Sequence, residues 1–284
     1  MNIEQIRQAL ASGGLVIGSE VNEMRSPAIA EIYAAAGFDY IMIDQEHTAI
    51  DLSEVAGIIR VARLSGIAPF VRVPEIDYNV ICRPLDQGAQ GIVVPRVTSR
   101  DQVLEVLDMI RYHPKGRRGL AVGGPSVGYR DINAQEFVDR ANNSIMLVVQ
   151  IESEAAVRDI DSIISVPGVD VAFVGPVDLS LSVGRPCEFT DEKVVSLIQE
   201  VVDKCREHRV VSGIALFDLD LIAKWISAGM RFFWVGNEVV MILSQGRQIV
   251  QGLREFFCRQ CYNTPCYHQR ATVSADGSDQ QANS

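Results

Sequence analysis

The chain has 284 residues, 48% hydrophobic and 22% charged, with a mean hydropathy of +0.12; this supports one large core and excludes disordered and fibrous classes for most of its length. Thirty-six acidic against 26 basic residues give a net charge of −10, the wrong sign for gripping phosphate backbones or anionic lipid, so neither nucleic acid nor a membrane is an expected partner. No apolar run reaches the ~18 residues a membrane helix needs, and Glu4 with its polar neighbours stands where a signal peptide would carry basic and then apolar residues, so the expected location is the cytoplasm.

Eight short apolar runs punctuate the chain, at 15–18, 40–43, 69–73, 91–94, 146–151, 169–174, 211–215 and 232–235. Each is rich in Val, Ile or Phe and continuously apolar, as parallel strands buried on both faces are. Helical spacing fills the intervals. Ser26 and Pro27 offer an N-cap and a proline at the first helical position, and a helix follows over 52–64. Ser99-Arg100-Asp101-Gln102 is a capping box ahead of Val103, Val106, Leu107 and Ile110. Helices over 155–164, 191–208 and 219–228 complete the alternation, with Gly66, Gly168, Gly213 and Gly229 near the turns back to strands. Between residues 112 and 143, Gly116, Gly119, Gly123, Gly124, Pro125 and Gly128 predict one long loop with a short helix at 134–141; a loop of that length is usually functional or mobile.

Eight strand–helix units without a composition break predict a single-domain (β/α)8 TIM barrel over residues 1–257, since such barrels commonly occupy about 250 residues. The rival doubly wound sheet should carry G-x-G-x-x-G after its first strand. That strand runs instead into Gly18-Ser19-Glu20-Val21-Asn22, and no Walker A sequence occurs. Residues 258–284 form a polar tail, expected to be partly disordered. Its Cys258, Cys261, Cys266 and His268 are zinc-compatible, but structural zinc sites usually draw ligands from two separated knuckles, and only a polar stretch follows here. Cys82, Cys187 and Cys205 are scattered through the body.

Barrel enzymes take reacting groups from the C-terminal ends of their strands. Those ends here hold Asp44-Gln45-Glu46-His47, Arg72, Pro95-Arg96, Gln150 to Glu152, and Gly175-Pro176-Val177-Asp178. Glu152 and Asp178, on neighbouring strands, could hold a hard divalent cation, or each could cap a helix or turn. A glycoside-hydrolase pair is another use of two carboxylates, less in keeping with the basic and histidine residues opposite. His47 could exchange a proton near neutral pH, or be merely hydrogen-bonded in a loop. Arg72, inside an apolar run, needs an anionic partner, either a reacting oxyanion or a structural ion pair. Arg96 is expected to be peripheral. No apolar strand run contains a lysine for a Schiff base.

Taken together, Asp44-x-Glu46-His47 with Asp51, Val71-Arg72-Val73-Pro74, Gly91-Ile92-Val93-Val94-Pro95, Pro114-Lys115-Gly116-Arg117-Arg118-Gly119, Gln150-Ile151-Glu152-Ser153, and Phe173-Val174-Gly175-Pro176-x-Asp178-Leu179-Ser180-x-Ser182-x-Gly184 resemble the HpcH/HpaI family of 2-oxo acid aldolases, over about residues 13–257. The resemblance implies a metal-dependent class II aldolase acting on pyruvate, or a related 2-oxo acid such as hydroxypyruvate, and an aldehyde. It also implies a homo-oligomer, usually a hexamer built as a trimer of dimers. By resemblance Glu152 and Asp178 are the metal ligands, for Mg2+ first and Mn2+ or Co2+ as alternatives. His47 is the general acid/base, Arg72 stabilises the enolate, Asp86 raises the basicity of the histidine, and Asp44 belongs with the catalytic group. Gln150, Asp178 and the Val177 backbone contact substrate together with Arg72. His113 departs from a proline common in the family, and the Gly123-Gly124-Pro125-Ser126 loop, expected over the aldehyde side, is not a family signature. The acceptor aldehyde stays open, with an acyl-CoA lyase of the citrate- and malyl-CoA-lyase branch and a non-catalytic ligand-binding barrel as alternatives. The final apolar segment, 239–257, exceeds what one flanking helix needs and suits either a subunit interface or core packing.

Overall fold

The structure, a computed structural model, describes residues 1–260, with side chains to residue 257; Cys258, Cys261, Cys266, His268 and the rest of the expected polar tail lie outside the side chains so described. In chain order the elements are α1 (Ile3–Ala11), β1 (Val16–Val21), α2 (Ala28–Ala36), β2 (Tyr40–Asp44), α3 (Leu52–Ser65), β3 (Ala68–Arg72), α4 (Tyr78–Gln87), β4 (Gly91–Val94), α5 (Arg100–Ile110), α6 (Ala134–Ser144), β5 (Met146–Ile151), α7 (Glu154–Arg158), α8 (Ile160–Ile164), β6 (Val171–Val174), α9 (Pro176–Ser182), α10 (Glu192–His208), β7 (Val211–Ala215), α11 (Leu219–Ala228), β8 (Phe232–Asn237) and α12 (Glu238–Gln260). All eight strands are parallel, and β1 pairs with β8 to close the sheet, so the fold is the expected (β/α)8 barrel.

The chain divides into two compact units, Met1–Val240, which holds the barrel, and Met241–Ser284, whose described part continues α12. No described helix is long and apolar enough to cross a membrane.

Several boundaries depart from expectation for identifiable reasons. β1 runs to Val21 instead of stopping at Gly18, because Ser19 and Glu20 are carried between two paired neighbours, β2 and β8. The helix expected over 155–164 breaks at Asp159 into α7 and α8. Helix α2 starts at Ala28, with Pro27 at the cap. The expected capping box at Ser99 and Gln102 forms. Gly213 lies within β7 and not at a turn, where a Cβ would stand 2.3 Å from the Phe232 carbonyl oxygen.

Alternation along each strand sends one set of side chains into the barrel. Tyr40, Met42, Ala68, Phe70, Val93, Met146, Val148, Val171, Phe173, Phe232 and Trp234 pack there as one buried cluster. Tyr40 stacks on Phe232 at 4.5 Å between ring centroids, Phe232 meets Phe70 and Phe173, and Phe173 stacks on Trp234 at 5.9 Å. Rings this large fit only where neighbouring strands offer no side chain. A Cβ on Gly18 would stand 2.3 Å from the Tyr40 ring, and one on Gly91 would stand 2.1 Å from Phe70. Overpacking a close-packed core costs about 1–3 kcal/mol. Gly91→Ala is therefore expected to lower stability by about that amount; an unchanged urea midpoint would show that the ring has room to move.

Candidate active site

The inward column changes character at the C-terminal rim. The alternation that turns Tyr40 and Met42 inward also turns Asp44 inward; Ala68 and Phe70 are followed in the same way by Arg72, and Met146 and Val148 by Gln150. Because β2 and β3 align Asp44 with Arg72, the two meet: Arg72 Nε donates to Asp44 Oδ1 at 2.7 Å. Arg72 Nη2 donates to Glu20 Oε1 at 2.9 Å, Glu46 Oε2 lies 3.5 Å from Nε, and the guanidinium stands 4.8 Å over the Trp234 ring. Burial alone would lower the Arg72 pKa, but Asp44, Glu20 and Glu46 hold it above its ordinary value. Arg72 is thus an ion-paired residue, one of the two roles its sequence left open, and its charge sits at the head of the aromatic stack.

Glu20 escaped the sequence reading, which ended β1 before it. Its inward phase, two residues beyond Gly18, was the available signal. Burial pushes its carboxyl up to about 8, against the pull of Arg72 and with help from the negative charges of Asp44 and Glu238. Glu238 gave no local signal. Its buried carboxylate accepts the backbone N–H groups of Asn22 (3.0 Å), Glu23 (2.5 Å) and Met24 (2.8 Å), fixing the loop that follows β1.

Glu152 lies just past β5, almost wholly buried. Its Oε1 accepts the Arg96 backbone N–H at 2.5 Å, and its Oε2 accepts from Gln150 Nε2 at 3.0 Å. Arg96 was expected to be peripheral. Its side chain is 65% exposed, but its backbone adopts φ +55°, a left-handed conformation rare for a non-glycine residue, with its N–H on Glu152. Gly175 is glycine for a matching reason, since a Cβ there would stand 2.5 Å from Glu152 Oε2. Burial, reinforced by Glu46 and Asp178 and opposed by the Arg96 N–H, raises the Glu152 carboxyl to about 7.

Asp178, exposed in the first turn of α9, is therefore close enough to act on Glu152 electrostatically, and Val177 beside it is exposed too. A hard divalent cation suits this end of the rim: it would relieve the repulsion among Glu152, Asp178 and Glu46, and Gln150 Oε1 is buried with no donor among the described residues. No group of three or more His, Cys, Asp or Glu side chains among the described residues makes a ready metal cage. A magnesium site needs none, typically taking one or two protein carboxylates with water and substrate oxygens.

His47 sits on the same rim, its side chain 61% exposed and its Nε2 3.6 Å from Glu46 Oε2. Asp44 Oδ1 and Oδ2 accept the backbone N–H groups of Glu46 (2.9 Å) and His47 (3.2 Å), so the residue that pairs with Arg72 also sets the loop bearing the imidazole. Asp86 is not brought to His47 within the chain. It lies in the last turn of α4, which has run back from the rim, and it pairs with Arg118 Nη2 at 2.7 Å. The carboxylate beside His47 is Glu46. The Gly123-Gly124-Pro125-Ser126 loop, expected over the aldehyde side, lies between α5 and α6, in the connection that leads from the end of α5 to the start of β5, and so belongs to the N-terminal face, where Arg63 Nη1 donates to the Pro125 carbonyl at 2.6 Å.

The family model HpcH/HpaI aldolase/citrate lyase matches residues 23–244. The chain is 32% identical to a hydroxypyruvate/pyruvate aldolase of Roseovarius nubinhibens, over 85% of this chain and 93% of that protein. It is 29% identical to a 2-keto-3-deoxy-L-rhamnonate aldolase of Klebsiella pneumoniae, over 83% of this chain and 87% of that one. An HpcH/HpaI aldolase structure from Desulfitobacterium hafniense superposes with a TM-score of 0.84 at 31% identity, covering 88% of this chain and 96% of the other.

From its ordinary 4.5 to about 8, the folded chain keeps a proton on Glu20 that the unfolded chain has released. This contribution is complete below the lower value and is lost as pH rises through the upper one. Glu20→Gln, which cannot ionise, is expected to lose less stability than the wild type between pH 5 and pH 9. Parallel urea-midpoint profiles for the two proteins would contradict the raised value.

Proposed function

The chain belongs to the HpcH/HpaI aldolase/citrate lyase family, and from that membership we propose a class II pyruvate aldolase, a carbon–carbon lyase that joins or separates pyruvate, or a related 2-oxo acid such as hydroxypyruvate, and an aldehyde. The observation that carries this reading is the buried Glu152 carboxylate, held by the Arg96 N–H and Gln150, with Asp178 beside it and ion-paired Arg72 within electrostatic reach. Both aldolases named above take their names from a 2-oxo acid.

In this proposal Glu152 and Asp178 hold a divalent metal, Mg2+ first, with Mn2+ or Co2+ as substitutes. When bound it supplies a Lewis-acid charge that polarises the 2-oxo acid. Gln150 and the Val177 backbone position the pyruvate unit. Arg72, already oriented by Asp44 and Glu20 over Trp234, offers fixed positive charge to the oxygen on which negative charge develops, without reorganising at the moment of reaction. In the cleavage direction His47, directly or through water, removes the proton of the hydroxyl at C4. The C3–C4 bond then breaks, the aldehyde departs, and the electron pair stays with the pyruvate fragment as its enolate. A proton delivered to C3 gives pyruvate. Glu46, 3.6 Å from His47 Nε2, favours the imidazolium formed meanwhile. Within one chain the carboxylate beside His47 is Glu46, while Asp86, the residue the resemblance assigns to raising the basicity of the histidine, pairs with Arg118. No strand of the barrel carries a lysine, so Schiff-base chemistry has no candidate there.

The working form is a homo-oligomer, with a hexamer expected. Ile242, Leu243, Ile249, Val250, Leu253, Phe256 and Phe257 are exposed along α12, more apolar surface than a solvent-facing helix ordinarily carries. Among the described residues Cys82, Cys187 and Cys205 are free thiols, which suits the reducing cytoplasm.

EDTA is expected to abolish release of pyruvate from a 4-hydroxy-2-oxo acid, and Mg2+ or Mn2+ to restore it. His47→Ala should lower kcat by roughly 10²–10⁴-fold. Full turnover after exhaustive metal removal, or cleavage of an acyl-CoA thioester in place of the oxo acid, would overturn the assignment. Leu253→Glu should reduce the molar mass measured by light scattering; an unchanged mass would remove α12 from the interface.

A further inference from the structure

The N-terminal face of the barrel carries a cleft of about 690 Å³, far from the rim that holds Glu152, and arginine dominates its charge. Arg60, Arg63, Arg118, Arg130 and Arg140 line it, against Glu4 as the sole lining carboxylate. In a chain of net charge −10 this gathering runs against the overall balance. Arg60, Arg130 and Arg140 form no ion pair among the described residues, and Arg63 spends its Nη1 on the Pro125 carbonyl. Burial lowers the Arg63 pKa, with no carboxylate to offset it. Arg118 is the independent sign of a missing anion. Its side chain is 2% exposed; Nη2 pairs with Asp86 and the guanidinium lies 4.7 Å over Tyr112, yet its Nε is buried without an acceptor among the described residues.

Converging guanidinium groups repel one another unless an anion stands between them, and their planar donors match phosphate oxygens two at a time. The volume falls in the range of about 300–1,000 Å³ usual for small-molecule sites. We propose that this cleft, between α3, the start of α1 and the turn at Pro125–Val127, binds a small phosphate-bearing polyanion at a site separate from the aldolase centre. Several positive charges around one concave space select a multiply charged ligand over a monocarboxylate such as pyruvate, which carries a single charge.

The test is calorimetric titration of inorganic pyrophosphate into the full chain, with and without Mg2+. Binding near one equivalent per chain, present without Mg2+ and weakened at least tenfold by Arg60→Glu and by Arg140→Glu, is the expected result. These two variants are chosen because neither side chain anchors the loop, and their pyruvate-releasing turnover without pyrophosphate should stay within about twofold of wild type. Three results would overturn the proposal. One is no binding at millimolar pyrophosphate. Another is binding indifferent to both charge reversals, or present only with Mg2+ and lost in Glu152→Gln, which would place the anion at the rim. The third is a fall in molar mass in Arg140→Glu, which would mean that the guanidinium groups face a second copy of the chain.

Discussion

Arg72 is the charge around which the catalytic rim is organised. A guanidinium taken out of water is costly to hold unless acids and acceptors surround it. Here Asp44 and Glu20 accept its protons, Glu46 stands nearby, and Trp234 lies beneath. Three of those partners have a second task. Asp44 grips the backbone of the loop that carries His47, Glu46 neighbours the imidazole, and Trp234 stacks on Phe173 in the core. Moving Arg72 would take a partner at once from Asp44, which sets the loop of His47, and from Glu20 and Trp234.

That coupling explains why the interior is built as it is. The rings of Tyr40, Phe70, Phe173 and Phe232 form a dense plug, accommodated by Gly18, Gly91 and Gly213 on facing strands. A plug of interlocked rings leaves little freedom for what rests on it, so the guanidinium is fixed before substrate arrives. In the proposed reaction, preorganised charge of this kind would stabilise a developing anion without the cost of turning solvent or side chains. Glu152 is fixed by different means, a left-handed backbone at Arg96 on one side and a missing side chain at Gly175 on the other.

Charge is also divided between the two ends of the barrel. Asp44, Glu46, Glu152 and Asp178 crowd the C-terminal rim against Arg72 and Arg96, with the largely protonated Glu20 beside them, a gathering of carboxyl groups that suits a cation. Arginines collect at the N-terminal face. A net charge averages these ends and conceals both.

Local pattern sufficed for much of this. Continuous apolar runs alternating with helical segments marked eight buried parallel strands, and polar residues at or just past their ends, Asp44, His47, Arg72, Gln150, Glu152 and Asp178, marked the rim, because strand ends and barrel mouths coincide in any closed parallel sheet. For Asp86 the motif supplied a residue type and not its place, which within the chain is the last turn of α4 beside Arg118. Glu238 gave no signal because its role arises only when β8 closes on β1, bringing it to backbone groups more than 200 positions away in sequence, and Glu20, whose inward phase went unread, finds Arg72 across 52 positions through the pairing of β1, β2 and β3. The sequence by itself determined the number and order of the strands and the residue types near their ends. Only the tertiary structure decided which charges are neighbours, since Coulomb energy depends on distance through space and barrel closure, not chain separation, sets that distance.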